Sequence, residues 1–156
     1  MTANNSGNAH LSPVVNGQLF RLDKPLSGIE IIRKLSYGNG QEIIDTVTTD
    51  RKGNFKFSEK TVKTSTLVTP YHESKSAQII LAKWRNVYHI LWQTRPSSSQ
   101  QDSNISKHLN ELTCDITDTE ETYVLPSDKY DNGKHLLYSI CDIDGTRATL
   151  QYAWTL

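Results

Sequence analysis

Apolar and polar residues alternate with a period of two along most of this chain. In Asn54-Phe55-Lys56-Phe57 the two aromatic rings point to one side and the lysine to the other. That spacing reads as a strand with one buried face. The same pattern recurs at 14–22, 29–36, 42–49, 54–58, 64–69, 77–83, 86–94, 122–125, 135–143 and 147–154. In 86–94, Tyr88, Ile90 and Trp92 are expected on one face, and in the last run Leu150, Tyr152 and Trp154. Over 107–116, Leu109 and Leu112 fit a helix, but Leu112, Cys114 and Ile116 alternate, and the reading there is a strand.

Turn chemistry separates these runs. Pro25 and Gly28 mark one turn, Gly38-Asn39-Gly40 a second, Asp50 to Gly53 a third, and Asp144-Gly145 a hairpin tip of the type I′ kind. Arg95 to Ser106, with Pro96 to Gln101 inside it, and Asp128 to Lys134 read as loops. About ten short antiparallel strands with no helix predict an all-β fold, an antiparallel Greek-key sandwich. Residues 1–12 are polar and aperiodic and read as a disordered tail; 13–156 read as one sandwich domain.

Residues 14–69 carry a further pattern. Val15-Asn16-Gly17-Gln18-Leu19, then Lys24-Pro25-Leu26-Ser27-Gly28-Ile29, then Thr48-Thr49-Asp50 followed by Gly53-Asn54-Phe55, resembles the carboxypeptidase regulatory-like domain, which is similar to the transthyretin-like sandwich. Ile29 stands where that family has a small residue. The resemblance implies a transthyretin-like first half, 13–70, and a divergent second half, 71–156. Its motifs are structural and imply no active site. Some small bacterial proteins of this kind lie beside toxin effectors of contact-dependent secretion systems, which implies an immunity role.

Charge narrows the partner. The 156 residues hold 17 basic and 17 acidic side chains, a balance that gives no footprint for a phosphate backbone. The balance is uneven: 1–90 carry a net +5 and 91–156 a net −5. Asp115, Asp118, Glu120, Glu121, Asp128 and Asp131 form an acidic segment with only Lys129 among them. Solvated loops explain it at least cost, but a basic protein surface would be met here, so these six residues are the expected partner contact.

Catalytic and metal chemistry has little footing in the sequence. His10, His72, His89, His108 and His135 form no close pair, so no zinc signature exists and no cofactor is expected. His89 reads as an outward-facing strand residue. A calcium loop counted from Asp142 fails, because its sixth residue is Arg147 and its twelfth Ala153. Nucleophile-elbow, phosphate-loop and dinucleotide motifs are missing. Met1 to His10 has no basic region leading into an apolar one, and the longest apolar run is Ile79 to Ala82, too short for a membrane span. The expected place is the cytoplasm, where Cys114 and Cys141 would be reduced, small and buried.

The leading expectation is a non-catalytic sandwich that neutralises a cognate toxin by blocking it. A carbohydrate- or peptide-binding module, using Trp84, Tyr88, Trp92, Tyr152 and Trp154 as a platform, is the alternative. A hydrolase with catalytic residues scattered along the chain is a third.

Overall fold

The computed structural model describes residues 8–38, 40–63, 76–94, 103–126 and 134–143. In chain order these form β1 (Asn8–Ser12), β2 (Val15–Arg21), β3 (Lys24–Pro25), β4 (Glu30–Tyr37), β5 (Gln41–Thr48), β6 (Asn54–Phe57), β7 (Lys60–Lys63), β8 (Ser76–Trp84), β9 (Val87–Thr94), α1 (Ser103–Leu109), β10 (Leu112–Asp115), β11 (Glu121–Pro126) and β12 (Lys134–Ser139). The strand expected at 64–69, the loop residues 95–102 and 128–133, and the hairpin at Asp144-Gly145 lie outside the described residues.

The period-two pattern sets which face is buried. Ile31, Arg33 and Leu35 of β4 point inward, as do Ser76, Gln78, Ile80 and Ala82 of β8 and Phe55 and Phe57 of β6. One sheet has the order β11-β12-β9-β8-β4-β5. The other has β2 between β10 and β3, with β6 also on β2, and β1 and β7 form a separate ribbon. Val15, Leu19, Phe55 and Phe57 from the smaller sheet share one core with Ile31, Ile80, Leu91, Trp92, Leu125 and Leu137 from the larger. Full burial of each such side chain is worth about 1.5–3 kcal/mol. The chain is an all-β sandwich.

The turn at Asp50 shows the local cause of this layout. Asp50 Oδ1 accepts the N–H groups of Lys52 and Asn54, both at 2.9 Å. The bond from Asn54, with that from Lys52, holds the Asp50 carboxyl below its usual range despite the opposing cost of desolvation. Gly53, at φ +80°, donates to Asp50 O, and its own carbonyl accepts from Leu19 N at 2.9 Å. A Cβ there would collide with the Leu19 carbonyl oxygen, and a Cβ at Gly17 would collide with the Phe55 ring. Both glycines let backbone lie against its neighbour.

One polar cluster sits inside the sandwich. The Arg33 guanidinium pairs with Asp45 at 2.5 Å, donates to Ser58 O at 2.8 Å and to Ser12 Oγ at 3.4 Å, and lies 4.7 Å from the Phe57 ring centre. Gln78 Nε2 also donates to Ser12 Oγ, at 2.7 Å. Arg33 thus joins β4 to β5, to the end of β1 and to the segment entering β7.

Several expectations are corrected. Asn8–Ser12 forms a strand on β7 where the sequence reads as a tail, and Leu11 is buried within it. Over 103–116, expected as loop to Ser106 and strand from Lys107, the chain is first helix and then strand: α1 buries Ile105 and Leu109 at i, i+4 spacing, and Leu112 and Cys114 take up the alternation in β10. β10 pairs with β2 in parallel, not antiparallel. The strand expected over 135–143 ends at Ser139. The register shifts between Ile80 and Leu81, so Leu91 and Trp92 are both buried while Tyr88 is exposed; the expected face of Tyr88, Ile90 and Trp92 breaks there. Cys114 and Cys141 are joined in a disulfide, not reduced.

Candidate partner-binding surface

The acidic segment begins where β10 ends. Ile116 N donates to Phe20 O at 2.8 Å, carrying the parallel pairing one residue past the strand, and Asp118 N then closes a turn on Asp115 O at 3.0 Å. Asp115 holds this turn together. Its Oδ1 accepts the Thr117 N–H at 2.9 Å and the Thr117 hydroxyl at 2.5 Å, and its Oδ2 accepts the Asp23 N–H at 3.2 Å. Burial pushes the Asp115 carboxyl up, but these bonds, with one from the Leu22 N–H, outweigh it and leave the group below its usual range.

Asp115 is therefore occupied by the fold, and its role is to position the turn. Asp118, Glu120 and Glu121 stand exposed beyond it. Asp128 and Asp131 lie outside the described residues. Asp118 is on the braced turn, Glu120 follows it, and Glu121 opens β11 in the larger sheet.

The bond to Asp23 brings in Leu22, which the alternation over 14–22 places in a strand. Leu22 and Asp23 are the central pair of the turn from β2 to β3, with φ of 49° and 67°. Positive φ at both centres is the type I′ arrangement, which favours Asn and Gly. Leucine there costs about 1–2 kcal/mol. Its side chain is 63% exposed. An apolar residue where turn chemistry asks for a small polar one was the available signal.

Arg21, just before this turn, reaches across the sandwich to the β8–β9 hairpin. Its guanidinium carbon is 5.2 Å from the Trp84 ring centre, and that of Arg85 is 4.4 Å away. The His89 ring lies 6.3 Å from Trp84, and Lys83 Nζ lies 5.8 Å from Tyr88. Arg85 and Asn86 repeat the positive-φ pair, at 52° and 64°. Val87 and Tyr88 are exposed beside them. Burial lowers the His89 pKa and keeps its imidazole neutral near pH 7. His89 is half-buried and not the outward-facing residue expected.

Two other chemistries can be placed. Trp92 is fully buried, which removes it from a glycan platform; Tyr152 and Trp154 lie outside the described residues. His10 Nε2 meets Glu59 at 2.8 Å on the β1–β7 ribbon, a histidine–carboxylate pair, and both cysteine sulfurs are committed to the disulfide. Among the described residues no group of three or more His, Cys, Asp or Glu is placed to hold a metal ion, and no helix is long and apolar enough to cross a membrane.

A search of curated proteins found no match. A family model for DUF6795, a domain of unknown function, matches residues 15–119. That span runs from the first residue of β2 through the turn that carries Asp118, and it includes Leu22 and Trp84. The chain belongs to the DUF6795 family.

Proposed function

We propose that this chain is a non-catalytic protein-binding sandwich that neutralises a cognate bacterial toxin by covering a basic surface on it. Asp118, Glu120 and Glu121 make the electrostatic contact and Leu22 the apolar one. The observation that carries this is the Asp23 N–H to Asp115 bond, which sets an exposed leucine beside an exposed acidic turn. A braced turn loses little conformational entropy on binding. Exposed carboxylates speed encounter with a cationic partner, and a central apolar side chain slows its release.

Residues 14–69 resemble the carboxypeptidase regulatory-like domain, and small bacterial proteins of that kind next to toxin effectors support the immunity role. The Cys114–Cys141 bond supports a meeting place in an oxidising compartment rather than the cytoplasm. The test is co-expression with the product of the neighbouring gene. Protection of growth and a stable complex are expected. Unprotected cells and no complex would overturn the proposal.

A further inference from the structure

The acidic segment crosses from one sheet to the other. Asp115 ends β10, at the edge of the smaller sheet, and Glu121 opens β11, at the edge of the larger. Residues 116–120 carry the chain between them, and of these Ile116 alone is buried. Asp118 and Glu120 stand exposed on the way. A crossover with so little of its own buried is only as fixed as its two ends. At the near end β10 holds to β2 through a parallel ladder of four residues. At the far end Glu121 stands opposite Ser139 in the β11–β12 register.

The Cys114–Cys141 bond joins these two ends. Cys114 directly precedes Asp115, and Cys141 follows shortly after Ser139, whose Oγ accepts the Cys141 N–H at 2.8 Å. Two hydrogen bonds flank the disulfide and run the same way. Asp142 N donates to Thr113 O of β10 at 2.9 Å, and the Tyr123 hydroxyl of β11 donates to Cys141 O at 3.2 Å. Together they clamp the base of the crossover. Both cysteines are buried, so oxidants and reductants reach the sulfurs only in an opened chain. The bond is therefore made as the chain folds, and the compartment of folding sets its state.

We propose that the oxidation state of this pair controls the acidic surface: closing the Cys114–Cys141 bond fixes both ends of the crossover and holds Asp118 and Glu120 ready for a partner. The two thiols give up two protons and two electrons to the disulfide of a thiol–disulfide oxidoreductase, which leaves as a dithiol. With free thiols the β10–β2 ladder remains, but the smaller sheet's edge can shift against the larger sheet. The crossover must then be ordered at the moment of binding, which costs affinity. The gain in affinity rests on the protein-binding reading above; the fixing of the crossover does not.

Backbone ¹⁵N order parameters of the oxidised chain and of Cys114→Ala/Cys141→Ala test this. Thr119 and Glu120 are expected near about 0.85 in the oxidised chain and below about 0.6 in the variant, while β4 and β8 keep their values and show the fold intact. Cys114→Val/Cys141→Ser is the second variant, should the first not fold: it refills the core at β10 and places a hydroxyl beside Leu91 O, which lies 3.3 Å from the Cys141 sulfur. A crossover already mobile in the oxidised chain would overturn the proposal without any variant. So would unchanged order parameters once the bond is removed. Titration with the product of the neighbouring gene is expected to show binding weaker by about tenfold or more without the disulfide. If that product binds neither form, the protein-binding reading fails, and the order parameters still decide whether the disulfide fixes the crossover.

Discussion

The main-chain N–H of Asp23 donates to the Asp115 carboxylate at 3.2 Å, across 92 residues of sequence. This contact ties the first turn of the smaller sheet to the turn that opens the acidic segment. It makes one surface of two turns that the sequence presents far apart. Asp115, the first of the acidic residues, is taken up by the fold, while Asp118 and Glu120 after it stay exposed.

Replacing Asp115 with Ala removes the acceptor of several hydrogen bonds to a charged group and is expected to cost about 1–3 kcal/mol in urea unfolding. The wild-type dependence on pH has a definite sign. The folded carboxyl is held below the ordinary value of 3.8, so its contribution is present above that pH and is lost as pH falls through the folded value. Acid unfolding of Asp115→Asn is expected to be less steep over that window.

Arg33 and Asp45 offer a separate test inside the sandwich. Asp45→Ala leaves a guanidinium that is almost fully buried without its carboxylate, and a loss of about 3 kcal/mol is expected. Arg33→Met together with Asp45→Ala is expected to cost less than Asp45→Ala alone, because no charge is then stranded. A double-mutant cycle in denaturant checks the order.

The disulfide closes a loop with a sequence separation of 27, and a link of that span stabilises by about 3–4 kcal/mol. Reduction, or Cys114→Ala with Cys141→Ala, is expected to lower unfolding free energy by that amount. Chain isolated from its native host without reductant is expected to show no reactive thiols at these two positions. Two free thiols would return the protein to a reducing compartment.

His89 titrates in the opposite part of the pH range. Its folded pKa lies below the ordinary 6.5, because burial disfavours the charged ring, so the unfolded chain takes up the proton first as pH falls. Stability is expected to decline from about pH 6.5 downward. His89→Gln is expected to flatten that decline, read from thermal melts at several pH values.

Much of the sandwich was legible because alternation and burial are the same signal. Phe55 and Phe57 go in and Lys56 stays out, as the period of two requires. The Asp50–Gly53 turn was legible because its side chain and glycine chemistry are local. α1 was not, since seven residues burying only Ile105 and Leu109 leave a weak helical period. The parallel β10–β2 pair and the Cys114–Cys141 bond are long-range outcomes that no local pattern encodes. At the surface, the acidic residues were visible as composition. Leu22 was not, because it reads as the last residue of a strand until the turn at φ 49° presents it to solvent.

The most direct measurement is isothermal titration of the neighbouring gene's product with wild-type chain and with the Asp118→Lys/Glu120→Lys/Glu121→Lys variant, each shown to be folded. Tight wild-type binding that weakens by about a hundredfold or more in the variant is expected if these three carboxylates face the toxin's basic surface. Equal affinity for the two chains would contradict it.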